Sequence, residues 1–235
     1  TSRRASELIK YASNAFLATK ITFINEIANL CEKLNVNVED ISIGMGLDKR
    51  IGSRFLRAGP AYGGSCFPKD TRALIDTANK FKIDLSIVKN VVKSNEKRKI
   101  LLTYKVEKIL NKKLKNKLIT FLGVTFKPNT DDMREASSVP MINYLSKKKC
   151  KIKYFDPSGE KKELKKIKNV KYCKNISTAC FKSDLIIIHT EWNVFKLLNF
   201  KKLVKKKNFS IYDMRNIYSP IKMKRMKINY FGVGR

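Results

Sequence analysis

The residues best suited to chemistry fall in one stretch, Gly59-Pro60-Ala61-Tyr62-Gly63-Gly64-Ser65-Cys66-Phe67-Pro68-Lys69-Asp70. Gly63 and Gly64 permit positive φ or the close approach of a ligand to the backbone. Pro68 lacks an amide donor and suits the first turn of a helix. That places Cys66 near a helix start, where the dipole favours negative charge on sulfur. A thiolate beside small residues, with the Asp70 carboxylate about one turn on, is a layout for covalent catalysis. A lone cysteine is more often a small buried hydrophobe, so these residues alone leave both readings open. Lys10 and Asn14, one helical turn apart on a shared face, form a second pair. An amine and an amide aimed together into a site could hold an oxyanion and position a water. The alternative is a solvated lysine with a polar neighbour.

Elements must position these groups. From Ser6 to Leu34, apolar residues including Leu8, Tyr11, Ala15, Phe16, Ile24, Ala28 and Cys31 recur near the helical period without a glycine or proline. The pattern predicts one long helix. A short helix over 38–44 follows, capped near Asn37, then a loop over 44–52 and helices over 71–81 and 87–110. The charged stretch 111–117 reads as a linker. Leu118–Phe126 is a β-rich run with a glycine-containing turn, followed by a helix over 137–148. Strands are expected at 151–155, 184–189, 209–212 and 229–233, and the unbroken Ile/Leu run at 184–189 is of the type buried in parallel sheets. The fold class is therefore α/β. A helical central (dimerisation) domain over 1–110 precedes a doubly wound Rossmann-like domain over 118–235, with ligand expected at the strands' C-terminal ends. Gly123 is not part of a GxGxxG fingerprint, so a dinucleotide site is not expected there. His189, the single histidine, ends a buried-type strand and reads as structural. Glu191 and Trp192 either brace that strand end or line a site.

A chain of 235 residues, 43% hydrophobic, supports one large or two modest domains. No apolar run approaches the ~20 residues that span a bilayer, and no signal-peptide layout is present. Five cysteines without metal-ligand spacing suggest reduced thiols and a cytoplasmic setting, with no metal and no membrane. A net charge of +31 would ordinarily suggest nucleic acid. Lysine far outnumbers arginine, however, the lysines are scattered, and no aromatic platforms interleave with them. Nucleic-acid binding is accordingly set aside.

The segment GGSCFPKD over residues 63–70 resembles the active-site signature of the UDP-glucose 6-dehydrogenase family, in which the cysteine is catalytic. Serine at 65 matches the glucose branch; relatives acting on UDP-N-acetylamino sugars typically have histidine there. GDP-mannose dehydrogenases share much of the motif and are the nearest alternative. Glu7–Ala18 resembles the ELxKxxxNAFLA pattern that carries the family's catalytic lysine and asparagine, which maps them onto Lys10 and Asn14. Family patterns continue through 126–135, 154–157, 190–192 and 213–215.

The resemblance implies NAD-dependent, two-step oxidation of UDP-glucose to UDP-glucuronate through a thiohemiacetal and a thioester on Cys66. Lys10 and Asn14 would stabilise oxyanions, and Asp70 would orient or deprotonate the hydrolytic water. It implies substrate contacts from Arg50, Phe55, Arg57, Gly63, Lys127 and Arg215, although the family often has lysine at 57. Arg134 matches a residue reaching toward the nicotinamide. Relatives dimerise through the long helix, with Arg50 acting in trans, so a homodimer is expected. The family's N-terminal NAD-binding domain finds no match, and the chain opens at Thr1 almost directly into a helix. These residues are therefore expected to be a piece of the enzyme. A non-catalytic UDP-sugar-binding module is the other reading, though it would have no use for Lys10, Asn14, Cys66 and Asp70 together.

Overall fold

Ser2 accepts a hydrogen bond from the Ala5 amide (3.2 Å), and helix α1 runs from there as Arg3–Leu34. This cap starts the helix three residues before its apolar periodicity does. Asn35 ends it in the left-handed region (φ 54°), donating its amide to the Cys31 carbonyl. In this computed structural model, which describes residues 1–235, the chain divides into two compact units.

The first unit holds residues 1–98 together with Gly234 and Arg235. Helix α2 (Val38–Leu47) is capped by the Asn37 side chain on the Glu39 amide, and it continues through Gly44 and Gly46, which read from sequence as loop. Helix α3 (Cys66–Lys80) starts five residues earlier than expected and packs along α1. Ala15, Ala18, Ile24, Ala28 and Cys31 of α1 face inward. Leu8, Phe16 and Leu34, which share the same periodicity, are exposed instead. At the chain's end Gly234 has φ +71°, and a Cβ there would lie 2.7 Å from Val38 Cγ1 and 2.8 Å from Ala28 Cβ. Only glycine fits so close to α1 and α2.

The second unit holds residues 99–233. Its six parallel strands are β1 (Leu118–Leu122), β2 (Lys151–Phe155), β3 (Val170–Tyr172), β4 (Leu185–Ile188), β5 (Ser210–Asp213) and β6 (Asn229–Gly232). Their order is β3-β2-β1-β4-β5-β6, the doubly wound arrangement in which the strand order reverses between β1 and β4. Register places Phe121 beside Tyr154 on one side and Ile187 on the other. Helix α5 (Ser138–Lys147) and the short helices α6 (Lys162–Lys165), α7 (Ile176–Cys180), α8 (Phe200–Val204) and α9 (Pro220–Arg225) make the crossovers. Leu122, Ile186, Ile188, Phe195, Phe200 and Ile211 belong to one buried cluster.

The division of the chain differs from the expected linker at 111–117. It falls between Arg98 and Lys99, inside helix α4 (Ser86–Ile109). Past that point α4 engages the α/β unit: Lys99 pairs with Glu135 (3.0 Å), and Glu107 accepts from Tyr144 Oη (2.6 Å). A helix carrying two different apolar faces end to end shows no break in its 3.6-residue period.

Candidate active site

Cys66 is the first residue of α3, and its side chain is exposed. Ser65 precedes it, with the two side chains 3.8 Å apart (Oγ to Sγ). Pro68 occupies the first turn, where backbone amides have no intrahelical acceptor and a missing donor costs nothing. Asp70 follows Cys66 by one turn and is 1% exposed.

A buried carboxylate needs partners, and α1 supplies them. Asn14 Nδ2 donates to Asp70 Oδ2 at 2.6 Å, and Lys10 Nζ stands 3.8 Å from the same oxygen. The short bond to a carboxylate is of the stronger, charge-assisted kind, and it fixes the Asn14 amide with Oδ1 facing away from Asp70. Lys10 is 61% exposed, so its ion pair is screened by solvent and leaves the ammonium accessible. Lys10, Asn14 and Asp70 thus converge, although 56 residues separate Asn14 from Asp70.

The other four cysteines are buried, between 0% and 4% exposed. Burial pushes the Cys150 thiol up to about 11 and Cys180 to about 12, and raises Cys173 as well. Under native conditions iodoacetamide is expected to alkylate Cys66 alone, and all five thiols in denaturant. Peptide mass mapping checks this, and comparable native labelling of a second cysteine contradicts it.

Around the cysteine, Phe55 has φ 65° and meets Phe67 edge-on with centroids 6.2 Å apart. Phe67 also meets Tyr62 at 6.0 Å. Gly63 is buried, and it is Gly64 that takes the left-handed conformation (φ 79°). Arg57 is exposed. Arg50 is exposed too, with its guanidinium forked onto Asp48 (Nη2 to Oδ2, 2.6 Å), a pairing that holds the Asp48 carboxyl below the usual carboxylate range.

In the α/β unit, Lys127 is exposed and lies over the Phe126 ring. Arg134 is forked onto Asp132 (2.8 Å), whose carboxyl it holds low. Arg215, expected to contact phosphate or sugar, has much of its guanidinium committed to backbone. Its Nε donates to the His189 carbonyl (2.8 Å) and lies 3.0 Å from Glu191 Oε2, while Nη2 donates to the Phe126 carbonyl (2.9 Å). Burial pulls its pKa below the usual arginine value, against the opposing influence of Glu191 and Asp213. Arg215 therefore ties together the chain leaving β1, β4 and β5. Glu191 braces that tie, and Trp192 packs on the main core cluster. His189 is fully buried between Ser137 Oγ (2.9 Å at Nε2) and Thr190 Oγ1 (3.2 Å at Nδ1). Burial first, then Arg215, lowers its pKa to about 3, so the ring is neutral and structural.

The turn after β1 lacks the GxGxxG spacing of a dinucleotide site. Gly123 (φ +73°) stands alone, and a Cβ there would lie 2.5 Å from Thr190 Cβ. Irregular chain over 123–137 separates β1 from α5, whose first residue, Ser138, donates its Oγ to the Val124 carbonyl (2.5 Å). Asp156, just past β2, is 1% exposed and already bonds the Val124 amide (2.8 Å) and Ser158.

Three residues that no motif flags also bear on the site. Asn25, Asn95 and Arg98 bond the backbone leading into Cys66. Their one sequence signal is a spacing of polar residues, Asn95 and Arg98 between Val91 and Leu102, on the buried face of α4.

Comparison with known proteins gives two family matches. Residues 4–97 match the central domain of the UDP-glucose/GDP-mannose dehydrogenase family, and residues 120–220 match its UDP binding domain. A UDP-glucose 6-dehydrogenase of Rickettsia typhi is 46% identical over 232 residues, covering 97% of this chain and 54% of that protein. One from Rhizobium meliloti is 44% identical over 236 residues, covering 100% and 54%. The structure of a UDP-glucose dehydrogenase from Pyrobaculum islandicum superimposes with a TM-score of 0.87 at 32% identity, covering all of this chain and 52% of that one. The chain spans about half the length of the curated relatives it matches.

Proposed function

Because this chain belongs to the UDP-glucose/GDP-mannose dehydrogenase family, we propose that it is the nucleophile-bearing and UDP-sugar-binding part of an NAD-dependent UDP-glucose 6-dehydrogenase. The observation that carries the reading is the meeting of Asn14 and Lys10 with the buried Asp70 one turn from an exposed Cys66. The carboxylate is shared by the Asn14 amide, 56 residues away in sequence, and the Lys10 ammonium, both from α1.

The family's nicotinamide group, when bound, would supply the oxidation. This chain's own residues do the rest. Cys66 Sγ attacks the C6 aldehyde carbon, forming a C–S bond while the carbonyl π pair moves onto oxygen. The Lys10 ammonium and the Asn14 amide steady that oxyanion. Losing one such donor costs about 3–4 kcal/mol of barrier. In thioester hydrolysis, water attacks the same carbon and passes a proton toward Asp70. The C–S bond then breaks, its electron pair returns to sulfur, and a carboxylic acid leaves.

Phe55, Arg57 and Gly63 in the first unit and Lys127 and Arg215 in the second are the proposed substrate contacts. Arg134 is the residue proposed to face the nicotinamide. A second copy of the chain would cover Ile9, Phe16, Phe23 and Leu30, exposed apolar residues at seven-residue spacing along α1. Arg50, at the unit's surface, would serve the partner's site. No helix is long and apolar enough to cross a membrane. The cytoplasmic setting is proposed on a separate ground, the five cysteines that all stand as free thiols.

Calorimetric titration of the 235-residue chain tests substrate class. UDP-glucose is expected to bind at least about tenfold more tightly than GDP-mannose, a difference of roughly 1.4 kcal/mol. Tighter binding of GDP-mannose selects the alternative substrate, and no binding of either overturns the reading. With NAD added, the chain alone is expected to form no NADH.

A further inference from the structure

Residues 59–64 lead into Cys66 outside any helix or strand, yet all six are buried. Buried irregular backbone requires partners for its amides and carbonyls. Side chains from two helices provide them. Gly59 donates its amide to Asn25 Oδ1 (2.9 Å), and its carbonyl accepts from Arg98 Nε (2.8 Å). Asn95 pairs with Tyr62 as a neighbouring strand would. Its Oδ1 accepts the Tyr62 amide (2.9 Å) and its Nδ2 donates to the Tyr62 carbonyl (3.2 Å). Arg98 then reaches α1, where Nη1 donates to the Asn25 carbonyl (2.9 Å) and to Asn29 Oδ1 (3.2 Å).

We propose that Asn25, Asn95 and Arg98 are positioning residues that hold the cysteine loop in register with α1. The inference rests on Cys66 being the nucleophile. The reactive set is split between α1, which carries Lys10 and Asn14, and α3, which carries Cys66 and Asp70. The loop entering α3 contains Gly63 and Gly64, residues that by themselves leave the backbone loose. Arg98 and Asn25 on Gly59, and the bidentate Asn95 amide on Tyr62, remove that freedom just upstream of the glycines. Apolar contact reinforces them: Tyr62, Ala18 and Val91 form one cluster, with Ile21 and Phe67 against it. Displacing a nucleophile by about 1 Å can cost roughly 100-fold in rate, so the clamp acts on turnover and not on nucleotide affinity.

Arg98→Lys keeps the charge and loses the fork, while Asn95→Asp keeps the acceptor for Tyr62 and loses the donor. In the active enzyme containing this chain, each is expected to lower kcat by about 10- to 100-fold. UDP-glucose affinity should stay within about twofold, and the Asn14 side-chain amide resonance should move toward that of a free amide. A purely structural role would lower the melting temperature and leave kcat of the folded enzyme and that resonance unchanged, and this outcome overturns the proposal. Should the variants fail to fold, hydrogen exchange of the unmodified chain decides. Gly59 and Tyr62 amides are expected to exchange at least about 100-fold more slowly than free peptide, and unprotected amides overturn the clamp. Full activity of Cys66→Ser would instead overturn the underlying assignment of the nucleophile.

Discussion

Replacing Cys66 by serine in the enzyme that contains this chain is expected to lower UDP-glucuronate formation by at least about 1000-fold. A serine hydroxyl at this position has no neighbouring histidine to activate it, since His189 is buried in the other unit between Ser137 and Thr190. In the proposed mechanism sulfur serves twice, first as the nucleophile and then as the leaving group from an acyl intermediate. UDP-glucose binding should be unchanged, because Cys66 enters the reaction only when C6 is already an aldehyde. Asp70→Asn provides the complementary result. It keeps an oxygen for Asn14 but removes the base, so a covalent adduct on the Cys66 peptide should accumulate and be visible by mass spectrometry. Near-normal product formation by the serine variant would remove the covalent mechanism altogether.

Acidification is expected to destabilise the α/β unit through His189. The ring's folded-state pKa, about 3, lies below its ordinary value of 6.5. Below pH 6.5 the unfolded chain therefore binds a proton that the folded one refuses. Stability from this group is complete above pH 6.5 and is lost progressively as pH falls toward 3. The slope is about 1.4 kcal/mol per pH unit, so lowering pH from 7 to 4.5 should cost about 2–3 kcal/mol. Asp132 and Asp184 have pKa values lowered from 3.8, so they contribute stability above that value and lose it only at more acid pH. His189→Gln, which can still bond Ser137 and Thr190 but cannot ionise, should flatten the profile between pH 6.5 and 4.5. Parallel profiles for the two proteins, measured by urea unfolding, would sink this account.

Residue type and short spacing marked Cys66, Asp70, Lys10 and Asn14 as candidates but left a structural reading open; the resemblance of their two segments to one family is what favoured chemistry. Gly-Gly before Cys66, Pro68 after it, Asp70 one turn on, and Lys10 with Asn14 one turn apart are local patterns, governed by backbone sterics and helix period. The same locality made α1, α4, the buried β4 and the alternation of strands and helices legible. Strand β3 and helices α6–α9 were not, because three to six residues hold too few periods to register, and lysines occupy many of their positions. Which members of an apolar face turn inward was also undecided: Ala15 and Ile24 are buried, whereas Leu8 and Phe16 of the same helix are exposed. Only the folded chain brings Asn14 to Asp70, gives Arg215 three carbonyl and carboxylate partners at the strand ends, and sets Asn95 and Arg98 against the cysteine loop. Each of those pairings joins residues 24 to 89 positions apart. Long-range contacts of this kind follow from how helices and strands pack, and packing leaves no periodic trace in the order of the residues.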